Sequence, residues 1–169
     1  LVHAQTGARR GAELVGRLQA FSRQSKPVLE PIELTGVIDQ IVFMLRRSID
    51  PKVSVQAASS AEKPWLVTAD SGQMMQALLN LGVNARDAMP KGGAITFSTD
   101  NVRFPPGEAV GSRRAGEFVR LCLRDTGLGM SPEVLARIFE PYYTTKDLSR
   151  GPGLGLSIVS RIAALHDCG

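Results

Sequence analysis

Apolar residues along the chain follow two periods that alternate, one helical and one strand-like. Over residues 1–24, Ala4, Ala8, Gly11, Val15 and Leu18 share one helical stripe with Leu14 and Phe21 beside it, which predicts a helix. Gly7, Gly11 and Gly16 each lower its intrinsic propensity by up to about 1 kcal/mol, so it needs a packing partner. Pro27 and Pro31 bracket a short extended connector. A second helix is expected from Thr35 to Ser48, with Val37, Ile38, Ile41, Val42 and Leu45 turned inward. Val53–Ala57 and Trp65–Ala69 read as strands. Asp70 with Gln73 three residues on has the pattern of a capping box. It opens a third helix that runs to Met89 and stops at Pro90, with Lys91-Gly92-Gly93 as a turn. Ala94–Thr99 and Phe118–Arg124 are further strands. In the latter, Val119, Leu121 and Leu123 alternate with Arg120, Cys122 and Arg124, as on a half-buried strand. Residues 104–116 read as a polar loop, 132–138 as a short helix, and a final helix starts near Gly155. Strand and helix do not strictly alternate. The expected fold is therefore α+β: a two-layer α/β sandwich with helices on one face of a mixed sheet, preceded by the N-terminal helix.

Composition narrows the class. The chain has 169 residues, 43% hydrophobic and 21% charged, enough for one ordinary domain with a core plus some appended structure. No run approaches the roughly 18 apolar residues of a membrane span, so no membrane contact is expected from this segment. The net charge of +4 comes from scattered arginines (Arg9, Arg10, Arg17, Arg46, Arg47, Arg113, Arg114) without a basic stripe or interleaved aromatics, which argues against nucleic-acid binding. Cys122 and Cys168 are far apart and lack CxxC spacing, so a disulfide framework is not expected and a reducing cytoplasm fits. His3 and His166 have no companions at metal-ligand spacing and read as incidental.

Three features carry candidate chemistry. On the helix 71–89, Gln73, Gln76, Asn80, Asn84 and Asp87 fall on one narrow stripe, opposite Met74, Met75, Leu78, Leu79, Ala85 and Met89. A solvent-facing stripe favours Lys and Glu, which form helices better than Asn and Asp do. Carboxamides and one carboxylate can instead line a cleft and hold a hard cation, since Mg²⁺ takes oxygen ligands while bridging phosphates. Alone, the stripe is equally compatible with a solvated face. The loop Asp125-Thr126-Gly127-Leu128-Gly129-Met130 follows a strand; its glycines permit close backbone approach to a flat ligand, and Asp125 can accept a hydrogen bond from an exocyclic amine. Alone, it is also an ordinary strand-end turn. Gly151-Pro152-Gly153-Leu154-Gly155-Leu156-Ser157 opens the last helix, where free N–H groups form an anion site. It lacks the Gly-Lys-Ser/Thr ending of a P-loop and follows no strand, which disfavours a dinucleotide fingerprint. Lys146 lies just upstream and can reach a phosphate, or is a surface lysine.

The order and spacing of these features resemble the ATP-binding domain of sensor histidine kinases, within the class that includes gyrase, mismatch-repair and chaperone ATPases. Asn80-Leu81-Gly82-Val83-Asn84-Ala85-Arg86-Asp87-Ala88-Met89 is similar to the family's asparagine box, and Asp125–Met130 to its first glycine box. Phe139-Glu140-Pro141-Tyr142-Tyr143-Thr144-Thr145-Lys146 resembles the phenylalanine box, and Gly153-Leu154-Gly155-Leu156 the second glycine box. Leu18-Gln19-Ala20-Phe21-Ser22-Arg23 resembles the end of the second dimerisation helix. The resemblance implies that Asn80 and Asn84 hold Mg²⁺ and the triphosphate of ATP and that Asp125 binds the adenine amino group. It also implies nucleotide contacts from Asp87, Gly127, Gly129, Met130, Tyr143, Thr145 and Lys146, with Gly153, Leu154, Gly155 and Leu156 closing over the phosphates.

On this resemblance, residues 1–26 are the end of a dimerisation and phosphoacceptor hairpin, and 27–169 an ATP-binding catalytic domain shortened at its C-terminus. The expected activity is transfer of the γ-phosphoryl group of ATP to a histidine outside the chain. The expected partners are a response-regulator receiver domain and, in the full-length protein, a second copy. The expected location is the cytoplasm, including as the cytoplasmic part of a membrane-anchored receptor. His3 lacks an acidic neighbour in the next turn and is not taken as the acceptor. Pro152 stands where threonine is more usual, which stiffens the lid and leaves the glycines intact. Hydrolysing relatives carry a glutamate one turn before the second asparagine. Asn80 stands there, and an asparagine cannot take a proton at neutral pH, which favours phosphotransfer over hydrolysis. The alternatives are an ATPase or a non-catalytic regulatory module of the same superfamily.

Overall fold

The computed structural model describes residues 27–59, 63–105, 115–146, 152–166 and 168. The expected N-terminal helix, most of the loop 104–116 and Gly151 lie outside them. Element order is β1 (Glu30–Ile32), α1 (Leu34–Ser48), β2 (Val53–Ser59), β3 (Val67–Ala69), α2 (Ser71–Asp87), β4 (Gly93–Phe104), β5 (Gly116–Asp125), α3 (Pro132–Leu135) and α4 (Gly155–Leu165). β2, β4 and β5 form a mixed sheet: β2 runs parallel to β4 from Val53↔Gly93, and β5 runs antiparallel to β4 from Ile95↔Asp125. β1 and β3 form a separate antiparallel pair, Glu30↔Ala69 to Ile32↔Val67. The α+β reading with helices packed on a mixed sheet holds.

Periodicity explains the packing. On α1, Leu34, Val37, Ile38, Ile41, Val42 and Leu45 are buried, while Phe43 and Met44 face outward. Alternate residues of β4 do the same, with Ile95, Phe97 and Thr99 buried. Ile38, Ile41, Leu45, Leu78, Ile95 and Phe97 form the centre of one core between helices and sheet. Burying each large apolar side chain contributes about 1.5–3 kcal/mol. α2 comes close enough to share this core because Gly82 faces it: a Cβ there would lie 2.6 Å from Leu45 Cδ1. A second, smaller core joins Ala77 of α2 to Leu154, Ile158 and Ile162 of α4.

Several boundaries differ from the expectations. The connector contains the short strand β1, in which Pro31 is tolerated because a two-stranded ribbon leaves an outer edge. The strand expected at Trp65 begins at Val67, and the helix expected over 132–138 ends at Leu135. β4 runs on to Phe104 because β5 pairs with it along its whole length.

Candidate functional site

α2 and α4 pack antiparallel: His166 at the end of α4 meets Asp70 before α2, and Gly155 at its start meets Asn84. The start of α2 is capped by Asp70, whose Oδ1 accepts the Gln73 N–H at 2.9 Å. The capping box does not close, however. The Asp70 N–H donates to His166 Nε2 at 3.0 Å, so no donor is left for the Gln73 side chain. His166 Nδ1 sits 2.8 Å from the Ile162 carbonyl, which makes Nδ1 the protonated nitrogen. This histidine is therefore a structural tie between two helices. Asp70 Oδ2 also accepts the Val28 N–H at 2.9 Å. Backbone hydrogen bonds from Gln73 and then Val28 hold the Asp70 carboxyl below the ordinary carboxylate range.

The polar stripe of α2 is not a solvated face. Gln73 Oε1 and Asn80 Nδ2 are buried, and neither has a hydrogen-bond partner among the described residues. A buried donor left unpaired costs about 1–3 kcal/mol, so Asn80 calls for an acceptor. One turn on, three groups converge. Lys146 Nζ donates to Asp87 Oδ2 at 2.9 Å and lies 3.5 Å from Asn84 Oδ1. Arg86 grips Asp87 Oδ1 through Nε and Nη2, at 2.9 and 2.7 Å. Burial works to raise the Asp87 carboxyl, but the hydrogen bonds from Lys146 and Arg86 outweigh it and hold it low. Asp87 is thus an anion at neutral pH, mostly shielded from water, between two cations.

The first glycine loop is clamped to the end of α2. A Cβ on Gly127 would sit 2.7 Å from Ala88 Cβ and 2.9 Å from the Ala88 carbonyl oxygen. The Leu128 N–H donates to that carbonyl at 3.1 Å. Thr126 Oγ1 accepts the Ala94 N–H at 3.0 Å and donates to Met89 Sδ, fastening the loop to β4 and α2 together. Asp125 Oδ1 accepts the Gly127 N–H at 2.8 Å, fixing the carboxylate at the loop mouth.

The second loop reaches the same place from the other side. Gly153 has φ +72, and a Cβ there would lie 2.7 Å from the Tyr142 carbonyl carbon and the Tyr143 oxygen. Tyr143 in turn lies under Arg137, 4.3 Å from its ring centroid. A Cβ on Gly155 would lie 3.4 Å from Asn84 Nδ2, so the free N–H groups that open α4 border the asparagine. The Leu154 side chain is buried in the α2–α4 core, leaving only its backbone for a ligand. Asn84, Asp87, Tyr143, Lys146, Gly153 and Gly155 are therefore brought together, and Asp125 and Gly127 are joined to the same helix end. Gly129, Met130 and Thr145 are exposed and Leu156 is half-buried on α4; among the described residues no hydrogen bond or ion pair joins them to the cluster. Sequence reasoning missed Arg86, Thr126 and His166. Arg86 sits inside the asparagine box, where its position between Ala85 and Asp87 was the available signal.

Among the described residues no group of three or more His, Cys, Asp or Glu could hold a metal. The donor set nevertheless fits Mg²⁺, which keeps waters and phosphate oxygens and needs only one or two protein oxygens. Asn84 Oδ1 and Asp87 Oδ2 already face a cation, the Lys146 ammonium.

Comparisons with known proteins agree with this geometry. The sensor kinase CckA of Brucella abortus is 38% identical over 161 residues, covering 94% of this chain, which spans only 17% of that protein's length. Full-length ShkA, solved in complex with AMPPNP, superposes with a TM-score of 0.72 at 28% identity, covering 97% of this chain and 33% of that one. The mycobacterial sensor histidine kinase MprB superposes at 0.62 with 28% identity, covering 83% of this chain and 81% of that one. The family model described as histidine kinase-, DNA gyrase B-, and HSP90-like ATPase matches residues 69–169. The α+β fold, the buried carboxamide stripe between two glycine loops and this match over more than half the chain make it a member of that ATPase family.

Proposed function

We propose that the chain is the ATP-binding catalytic part of a two-component sensor histidine kinase, which transfers the γ-phosphoryl group of ATP to a histidine outside it. The supporting observation is the convergence of Asn84, Asp87 and Lys146 beside the glycine-flanked start of α4. Such a cluster offers oxygens to a hard cation, and an ammonium and backbone N–H groups to phosphate. Mg²⁺, when held by Asn80 and Asn84 with Asp87 alongside, would neutralise charge on the transferring phosphoryl group. The chain's own residues do the rest. The N–H groups around Gly153–Gly155 and the Lys146 ammonium orient the phosphates, and Asp125 at the mouth of the first loop receives the adenine amino group. Gly127, Gly129 and Met130 of that loop, with Tyr143, Thr145 and Leu156, are assigned nucleotide contacts by the family resemblance, and of these Gly127 and Tyr143 are tied to the cluster by the packing described above. Asn80 stands where a hydrolase needs a proton acceptor, and a carboxamide cannot serve as one. Transfer therefore rests on positioning and charge, with no general base for water.

In this reading residues 27–169 are the catalytic domain, and 1–26 the end of a dimerisation helix. The parent protein is a cytoplasmic or membrane-anchored homodimer that passes phosphate on to a response-regulator receiver domain. No helix of the described residues is long and apolar enough to cross a membrane. The test is radiolabelled ATP with the chain and its own upstream acceptor helix supplied in trans. Acid-labile label on the helix, lost with Asn84→Ala, is the expected result. Release of inorganic phosphate with no labelled helix would assign the chain to the hydrolases instead.

A further inference from the structure

Asp87 carries two cations from very different places. Arg86 is its chain neighbour, whereas Lys146 comes from 59 residues further along, on the stretch that leads into the second glycine loop. The Asp87 side chain is only 13% exposed, so both its oxygens need partners whether or not a nucleotide is bound. Arg86 covers Oδ1, and the Lys146 ammonium supplies the counter-charge at Oδ2. It lies against Asp87 Oδ2 and Asn84 Oδ1, the oxygens that would face a divalent cation. Two positive ions cannot share those oxygens, because like charges a few ångströms apart in a partly dry site repel strongly.

We propose that Lys146 is the resident counter-ion of the nucleotide-free site: it latches the 139–146 stretch to α2, and the incoming metal and triphosphate displace it from Asp87. The ammonium then pairs with a phosphate oxygen, so neither Asp87 nor Lys146 is left bare in either state. The exchange balances, one lysine–carboxylate pair being traded for a metal–carboxylate and a lysine–phosphate pair. This inference rests on the reading of the cluster as the site for Mg²⁺ and ATP. It gives Lys146 opposite effects on two ligands: it opposes a divalent cation alone and favours the nucleotide. A surface lysine would affect neither, and a simple phosphate contact would affect only the second.

The test uses the whole chain with Lys146→Gln and the charge-keeping Lys146→Arg. Mn²⁺ alone, followed by the electron paramagnetic resonance signal of the free ion, should bind at least tenfold tighter to Lys146→Gln than to the native chain. Mg·ATP, followed by calorimetry, should bind at least fivefold more weakly. Backbone amides of residues 139–146 should exchange with deuterium several-fold faster in nucleotide-free Lys146→Gln, with α1 amides unchanged as the folding control, and Lys146→Arg should stay near the native values. Unchanged or weaker Mn²⁺ binding, or unchanged exchange over 139–146, overturns the latch. If neither protein binds ATP, the nucleotide reading fails by itself, and the Mn²⁺ and exchange measurements still decide the latch.

Discussion

A methyl group at position 127 has no space to occupy. In Gly127→Ala the new Cβ would lie 2.7 Å from Ala88 Cβ, 2.8 Å from Asp125 Oδ1 and 2.9 Å from the Ala88 carbonyl oxygen. Ala88 cannot retreat easily, because it caps α2 and its N–H is bonded to the Asn84 and Ala85 carbonyls at 3.1 Å. Relief must come from the loop, which then loses the 3.1 Å bond from the Leu128 N–H to the Ala88 carbonyl. Losing that bond costs about 0.5–1.5 kcal/mol. Overpacking at a close contact adds about 1–3 kcal/mol. The sum is about 1.5–4.5 kcal/mol, worth roughly 2–4 °C of melting temperature per kcal/mol in a domain of this size. Urea unfolding with an unchanged m-value measures it directly. Gly129→Ala is the internal comparison: φ is +70 but, chain neighbours aside, a Cβ there would meet no atom of the described residues within 4 Å, so its cost is only the left-handed strain of about 1–2 kcal/mol. Because the clamp holds Asp125 at the loop mouth, Gly127→Ala should also weaken ATP binding more than Gly129→Ala does. A Gly127→Ala protein within about 0.5 kcal/mol of the native one, with ATP affinity intact, would show that the loop is not clamped to α2 and would refute the reasoning.

Two further outcomes follow from the α2–α4 pair. Asp70→Ala removes a helix cap, costing about 1 kcal/mol, and the bond from the Val28 N–H, about 0.5–1.5 kcal/mol more, both readable by urea unfolding. The same variant has a pH signature. The folded-state carboxyls of Asp70 and Asp87 lie below their ordinary values, so their stabilisation is present above about pH 4 and is lost as pH falls through the folded values. An acid titration of stability should therefore be shallower in Asp70→Ala, and an identical slope would count against the cap. Ile158→Ala empties the centre of the smaller core and should cost about 2–5 kcal/mol; a loss below about 1 kcal/mol would mean that α4 is not packed on α2 as described.

What could be read from the sequence divides by the distance between partners. Helix α1 and the alternation on β5 were visible because a few neighbouring residues set each pattern. The stripe on α2 was equally visible, since Asn80, Asn84 and Asp87 recur at helical spacing. β1 was hidden, because three residues containing Pro31 become a strand only when Ala69 and Val67 pair with them from far along the chain. β4 beyond Thr99 was hidden for the same reason, its Asp100–Phe104 half being held by β5. His166 shows the limit most clearly. Its partner is the backbone N–H of Asp70, 96 positions away, and a backbone donor leaves no trace in side-chain identity. The half-formed capping box follows from that contact: once His166 takes the Asp70 N–H, Gln73 has nothing to close on. The site behaves alike. Residue types on α2 announced oxygens suited to a cation, but only the tertiary fold shows that Lys146 faces them and that α4 brings its N–H groups to Asn84. A stripe of one helix can state which atoms are on offer. Whether they serve a ligand depends on what the rest of the chain sets opposite them, and here that is an ammonium on one side and the free end of a helix on the other.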